Sequence, residues 1–341
     1  MTLMRHLMLG AAALAACAAF PAAAKEAKTR TPEVTVETLA FDPDHPAETR
    51  VGRLTWLGGI RLASKHWLFG GFSSLEISPD GTKLFTASDR GTWWTAALAL
   101  KDGIPVGVGE TTLIDIPDAQ GQALAEADAD SEGMAVALTG TVYVSFERNH
   151  RIVRYIPPAP DDVTSLRHSL PETLPSPPEL AGAPNNAGLE AIALMADGTL
   201  FALSENYPAE QGYNRGWLVR GNGTWEPFEY KRTEPYDVTD AKRLPNGDML
   251  VLERRFSMLG GLGARLCVIA GTTIKPGAKL ECRTVADMQP PHPIDNMEGL
   301  AVRQNEKGET IVYMISDDNF SAMQRTVLLV FRLEPEAAAR K

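Results

Sequence analysis

The 341-residue chain carries 33 Lys+Arg against 43 Asp+Glu, a formal net charge of −10, and 44% hydrophobic residues. That balance supplies apolar material for a large core and excludes a nucleic-acid partner, because phosphate backbones are held by basic faces. Cations and small molecules stay open. With 29 Gly and 24 Pro punctuating many short apolar runs, and no long amphipathic helices of the kind that alternate with strands in α/β enzymes, the expectation is an all-β fold.

Residues 1–24 read as an export signal: a basic start at Arg5 and His6, an apolar stretch from Leu7 to Ala16, and a small-residue cleavage site at Ala22, Ala23 and Ala24. Cleavage there would release a periplasmic or secreted protein. Leu14-Ala15-Ala16-Cys17 also resembles a lipobox, and that alternative route would leave a lipid anchor on Cys17. No later stretch is long and apolar enough to span a bilayer. Residues 25–50 are expected to be a flexible lead and a first strand, in which Val34, Val36 and Leu39 alternate with polar residues; 51–335 is the folded domain and 336–341 a tail.

From Phe72 onward one pattern recurs five times: acid, short apolar strand, polar turn, apolar strand, acid. The copies are Phe72 to Asp89, Ser131 to Glu147, Leu189 to Glu205, Thr239 to Glu253, and Asp295 to Asn319, the last with a longer turn. Turns such as Pro79-Asp80-Gly81, Ala196-Asp197-Gly198 and Pro245-Asn246-Gly247 supply the positive φ that tight hairpins need. A hairpin repeated every 50 to 58 residues or so signals a propeller of four-stranded antiparallel blades. Five copies leave the strands of Val34 to Leu62 and Thr326 to Leu333 unassigned. Joined as a sixth blade shared by the termini, they would close the ring and remove its exposed edges. The expectation is therefore a six-bladed, monomeric propeller. The acid-rich Gln120 to Asp130 and the Pro-rich Pro157 to Asn186 read as loops over one end of the ring.

The start of one hairpin strand lies beside the end of its partner. Glu132, Glu190, Asp240 and Glu298 before the first strands, and Asp89, Glu147, Glu205, Glu253 and Asp317 after the second, should therefore face a common axis at one end. The first copy has Ser73 where the others carry an acid. Crowded carboxylates raise one another's pKa or repel unless something compensates. One compensation is arginine: Arg90, Arg148, Arg254 and Arg255 directly follow second-strand acids. The other is a hard divalent cation, for which carboxylates plus the side-chain carbonyls of Asn149, Asn206, Asn296 or Asn319 are suitable oxygen donors. A purely structural use, acids bonding backbone N–H groups between blades, is the alternative for most of them. Glu76 stands apart, within the first copy's strand, as a channel-facing residue suited to pairing with an arginine.

Other catalytic patterns are missing: no G-x-S-x-G elbow, H-E-x-x-H, Walker loop or CxxC pair occurs. His150 and His292 are the histidines near the proposed site, and Ser73 with Ser74 could offer a nucleophile, though no base accompanies it. Cys267 and Cys282 lie in short strand-like runs joined by a turn, where antiparallel pairing would let them bridge in an oxidising compartment; two buried thiols are the alternative.

Phe69 to Leu75, Ser88-Asp89-Arg90-Gly91, Ser131-Glu132-Gly133, Gly188-Leu189-Glu190, Leu252-Glu253-Arg254, Asp295 to Gly299 and Ser316 to Asn319, taken in order, resemble the phytase-like family of exported bacterial proteins described as having esterase-like activity of phytase. The resemblance implies a β-propeller similar to that of calcium-dependent phytases, with carboxylate-held calcium and basic residues that bind phosphate groups. On this reading the chain hydrolyses a phosphate or carboxylic ester of a small molecule. Glu190, Glu298, Arg90, Arg148 and Arg254 would be catalytic, and Glu132, Glu147, Glu205, Glu253, Asp317 and Asp318 would hold calcium. A non-catalytic ligand- or protein-binding propeller of the cell envelope and a lactonase-like sugar hydrolase are the rivals.

Overall fold

Each of the five repeats folds as a hairpin, and each hairpin is the inner half of a blade. The turn glycines Gly81, Gly140, Gly198, Gly247 and Gly308 all adopt φ between +74° and +92°, closed to a residue with a Cβ except under strain. The computed structural model describes residues 26–257 and 261–336; the expected export signal, Cys17 and residues 337–341 of the expected tail lie outside the described residues.

The inner strands Glu76–Ile77, Ser131–Val136, Leu189–Leu194, Asp237–Arg243 and Asn296–Gln304 pack in that order into a closed ring, each against the inner strands of both neighbours. Blade 1 continues outward through Lys83–Ser88, Thr92–Lys101 and Ile104–Asp115, and its outer edge is covered by Thr29–Arg30 from the stretch read as a lead. Blade 2 adds Val142–Phe146, Arg151–Tyr155 and Pro171–Thr173, so the Pro-rich segment contains the blade's fourth strand. Blade 3 adds Leu200–Glu210, Tyr213–Val219 and Trp225–Lys231, and Lys279–Leu280 joins it in parallel. Blade 4 adds Met249–Ser257, Gly261–Ile269 and Arg283–Met288. A disulfide between Cys267 and Cys282 ties blade 4's third strand to the connection that runs over to blade 3.

The ring has five blades, which corrects the expected six. The terminal strands do meet, but they do not make a blade of their own. Thr326–Leu333 pairs with Thr310–Asp317 of the fifth hairpin on one side and with Leu54–Ala63 on the other; Thr35–Thr38 lies outside that. The fifth hairpin supplies only two strands, and both termini complete it. A sixth blade would have needed a sixth inner hairpin, and the sequence has none.

Because strand side chains alternate between faces, each blade offers an apolar surface to both neighbours. Trp93 packs toward blade 2 and Trp94 toward blade 5. Five apolar clusters result, one at each blade junction. This is why the apolar content could be read as a large core although no single core exists.

Part-way along the inner strands a buried ammonium spans the channel. Lys242 Nζ of blade 4 donates to the Met134 carbonyl of blade 2 at 2.7 Å, lies 3.1 Å from Glu76 Oε1 of blade 1 and 3.6 Å from Asp240 Oδ1. Asp240 Oδ2 accepts the Leu300 N–H of blade 5 at 2.8 Å. Glu76 therefore faces the channel as expected, but its partner is a lysine. The Lys242 and Asp240 side chains are 9% and 0% exposed, and removing one partner of a buried pair strands the other's charge. Lys242→Met is expected to lower the unfolding free energy by about 3–5 kcal/mol, read from urea denaturation; a loss below about 1 kcal/mol would show that the ammonium does not hold the blades.

Candidate functional site

The inner strands of blades 2, 3 and 5 each carry a β-bulge near their start. Register passes from Ser131↔Phe146 to Met134↔Val144, from Leu189↔Ser204 to Ala191↔Leu203, and from Met297↔Ser316 to Gly299↔Ile315. The residues left over include Glu132, Glu190 and Glu298. A bulge re-aims a side chain, and here it turns the three glutamates toward one another, as their mutual repulsion records. The second strands deliver Asp89, Glu147, Glu205 and Asp317 to the same place.

Blade 4 departs from this pattern. Its bulge falls on Thr239, between Val238↔Glu253 and Asp240↔Leu252, and Arg254 stands opposite Asp237 as Asp317 stands opposite Asn296. Arg254 therefore occupies the place that carries an acid in the other blades. Its Nη2 donates to Glu205 Oε1 and its Nη1 to Asn296 Oδ1, both at 3.1 Å, and its Nε is 3.3 Å from Glu298 Oε1. Burial opposes its charge, but Glu298, Glu205 and Glu190 outweigh that and raise its pKa.

Two expected positions are corrected as a consequence. Glu253 does not face the axis: it is 1% exposed inside the blade, accepting from Tyr230 Oη at 2.6 Å and from the Arg265 guanidinium. Asp240 lies deeper in the channel with Lys242. The offsets from the turn glycines could have shown this. Glu132 and Glu190 stand eight residues before Gly140 and Gly198, and Glu147 and Glu205 seven after; the same steps from Gly247 land on Thr239 and Arg254.

Asp130, at the end of the acid-rich loop and left out of the sequence-derived ligand set, joins the ring. One oxygen from each of Asp130, Glu132 and Glu147 lies within 4.8 Å of the others, a donor set of the hard, anionic kind that a divalent cation takes. Arg148, held at φ +56°, pairs with Asp130 at 2.7 Å from Nε. Glu147 Oε1 also accepts the Gly188 N–H at 2.5 Å, and a Cβ on Gly188 would collide with the His150 ring. His150 thus borders the site behind Gly188, its Nε2 3.0 Å from the Pro184 carbonyl. His292 is elsewhere, stacked on Phe41 at 4.4 Å. Ser73 gives its hydroxyl to the Ser131 carbonyl at 2.6 Å and is buried, which removes it as a nucleophile.

Asp318 is occupied by the protein: Oδ1 accepts the N–H groups of Gly71 and Phe320, and Oδ2 the Thr326 hydroxyl. It fixes its loop rather than joining Asp130, Glu132 and Glu147. The side-chain carbonyls of Asn206 and Asn296 are taken by Arg232 and Arg254. Asn149 donates to Asp128 and Asn319 caps Asp317 through its backbone N–H. Arg90 is exposed at the rim, its Cζ 3.3 Å from the Phe320 ring centre.

Burial is the largest influence on every ring carboxyl, and neighbouring acids add to it. Asp89, Glu147 and Glu205 are pushed up to about 7 and Asp317 to about 9, the first despite Arg90 and the third despite Arg254. Glu132 and Glu190 are driven well above the ordinary carboxylate range. Glu298 is raised by burial, with Arg254 and the Asn296 amide, 2.7 Å away, opposing.

With this geometry in place, comparison with known proteins is decisive on one point. The family of phytase-like domains, described as "Esterase-like activity of phytase", matches residues 68–320. The chain belongs to the phytase-like family. No curated protein matches it. Among solved structures it is similar to an α-L-arabinofuranosidase from Lactobacillus brevis, with 12% identity, TM-score 0.47, and coverage of 78% of this chain and 91% of that one. It is also similar to an engineered GH43 glycoside hydrolase, with 13% identity, TM-score 0.44, and coverage of 79% of this chain and 51% of that one. A third is the Cps50 (Swd1) β-propeller domain of Myceliophteria thermophila, with 12% identity, TM-score 0.39, and coverage of 86% and 99%. None of these distant likenesses bears on what the phytase-like chain binds.

Groups that bind protons more tightly folded than unfolded favour the folded state at low pH, and that contribution is lost as pH rises through the folded pKa. For this phytase-like chain the window opens near the ordinary carboxylate range and closes at about 7 for Asp89, Glu147 and Glu205 and about 9 for Asp317. In chelator the melting temperature should fall steadily from about pH 5 to about pH 9; a flat or rising profile would mean that the ring is not crowded in solution.

Proposed function

We propose that the channel mouth binds a divalent cation, calcium, and that the protein is an exported hydrolase of phosphate or carboxylic esters acting at that mouth. The observation that carries this reading is the convergence of Asp130, Glu132 and Glu147 within 4.8 Å, inside a ring where carboxylates outnumber guanidinium groups. Membership of the phytase-like family supports the reaction class. The disulfide supports an oxidising compartment, as an export signal would require; no helix among the described residues is long and apolar enough to cross a membrane.

Asp130, Glu132 and Glu147 would hold the cation, all-oxygen ligands of the type calcium prefers. When bound, it supplies charge that offsets the crowding, polarises an ester oxygen and acidifies water. The chain's own acids divide the proton work. Glu190, buried among Glu132, Glu205, Glu147 and Glu298, has its pKa raised well above the ordinary carboxylate range by burial and by those acids, which suits it to be the general acid. Glu298 is also raised by burial, but Arg254 and Asn296 oppose that shift, which makes it the better placed of the two to be the general base. Two carboxyls raised to different degrees by their surroundings are how one site supplies both roles. Glu298 takes a proton from water, whose oxygen bonds to the ester phosphorus or carbonyl carbon. The bond to the alcohol oxygen breaks, and that oxygen takes the proton of Glu190.

Purified protein assayed on nitrophenyl phosphate and nitrophenyl acetate should turn over at least one of them with calcium and lose most of that rate in chelator. Glu298→Gln should lower kcat by about 10²–10⁴ on these substrates, and Glu190→Gln should do so on an alkyl ester, whose alcohol needs a proton to leave, while both leave the fold intact by circular dichroism. Activity indifferent to chelator would contradict the metal reading. Calcium binding without turnover would point instead to a ligand-binding propeller.

A further inference from the structure

Two loops meet at the mouth beside Asp89. Gly70 and Gly71 have φ of +129° and +62°, and a Cβ on Gly71 would collide with both the Asp89 carboxylate and the Phe320 ring. Their missing side chains let the loop of residues 66–72 close onto that of residues 317–323. Across from them, Asn319 and Phe320 have φ of +47° and +49°, consecutive left-handed residues that persist only where the surroundings hold them. They are held: Asp317 Oδ1 accepts the Asn319 N–H at 2.6 Å, and Asp318 Oδ1 accepts those of Phe320 at 3.1 Å and Gly71 at 3.2 Å.

This strained turn sets Phe320 against Arg90, whose Cζ is 3.3 Å from the ring centre and whose Nη1 donates to the Trp67 carbonyl at 2.9 Å. Trp67 is 68% exposed, whereas Trp93, Trp94 and Trp217 are fully buried. Its ring runs within 14° of parallel to His66, 6.5 Å away, and His66 is fixed by accepting the Leu68 N–H. Folding gains little from a tryptophan left in water, and this one lies in a loop braced on several sides. Among the described residues Arg90 has no ion-pair partner, while Arg148 is held by Asp130 and Arg254 by Glu205 and Glu298. Arg90, which favours the ionised form of Asp89 without an ion-pair contact, is therefore a guanidinium at the mouth that can still pair with a ligand, and its place on Phe320 and the Trp67 carbonyl removes in advance the rotamer freedom that binding would otherwise cost.

We propose that Trp67, Arg90 and Phe320 form an aryl subsite: the ester taken at the acid ring carries a flat unsaturated ring that stacks on Trp67 and, next to it, an anionic group that pairs with Arg90. The subsite deepens the hydrolase reading and rests on it for the chemistry that follows binding, but not for binding itself.

Calorimetric titration of the full chain with phenyl phosphate and with inorganic phosphate, at one pH and ionic strength, tests it. Phenyl phosphate should bind about tenfold tighter, the size of one good aromatic contact. Trp67→Ala should erase that preference and leave inorganic phosphate unchanged, and Arg90→Met should weaken both. A preference that survives Trp67→Ala, or is absent from the wild-type protein, overturns the subsite. If the Trp67-dependent preference is found and no nitrophenyl ester is turned over, the subsite stands and the hydrolase reading falls. Turnover whose KM for nitrophenyl esters is untouched by Trp67→Ala removes the subsite alone.

Discussion

Eight carboxyl groups, Asp89, Asp130, Glu132, Glu147, Glu190, Glu205, Glu298 and Asp317, are drawn to one end of a narrow channel, and Arg254 is the guanidinium buried among them. Like charges at this spacing in a partly desolvated place cannot all ionise without compensation. Much else in the structure follows from that constraint. The bulges of blades 2, 3 and 5 create the crowding, and the one-residue shift of blade 4 answers it by putting arginine where a carboxylate would stand. What Arg254 and Arg148 leave uncompensated is the opening for a cation.

The propeller makes such a cluster tolerable. Stability resides in the five apolar junctions between blades, away from the axis, so the mouth can be assembled from mutually repelling groups without a core of its own. Further along the channel Lys242 does the opposite job, joining blades 1, 2 and 4 directly and blade 5 through Asp240. The channel is thus bridged part-way along by a satisfied charge, and its mouth is left in electrostatic tension. The cation proposed for the tense end would meet ligands that folding has already gathered.

Much of this was legible in the residues. Acid-strand-turn-strand-acid, repeated, gave the hairpins, their inward-facing ends and the ring of Glu132, Glu147, Glu190, Glu205, Glu298 and Asp317. Blade number was misjudged because strand patterning does not say which sheet a terminal strand joins, and Leu54–Ala63 reaches Thr326–Leu333 across most of the chain. Glu253 lies off the ring because blade 4 has its acid one residue nearer the turn glycine than Glu147 and Glu205 are to theirs, and a one-residue slip sends a side chain to the other face of its strand. Asp130 was passed over because it sits at the end of a loop whose many acids look solvated, and Lys242 because a lone lysine on a strand carries no repeat signal. The rim of Trp67, Arg90 and Phe320 depends on two loops meeting, which no local pattern encodes.

The proposed cation site at the mouth is built by Asp130, Glu132 and Glu147. Calcium titration of chelator-treated protein by calorimetry at neutral pH measures it directly. Binding should be saturable, release protons because raised carboxyls must ionise, and lose at least about tenfold in affinity in Glu132→Gln. A protein that takes up no calcium, or that binds it equally well with Gln at residue 132, would contradict it.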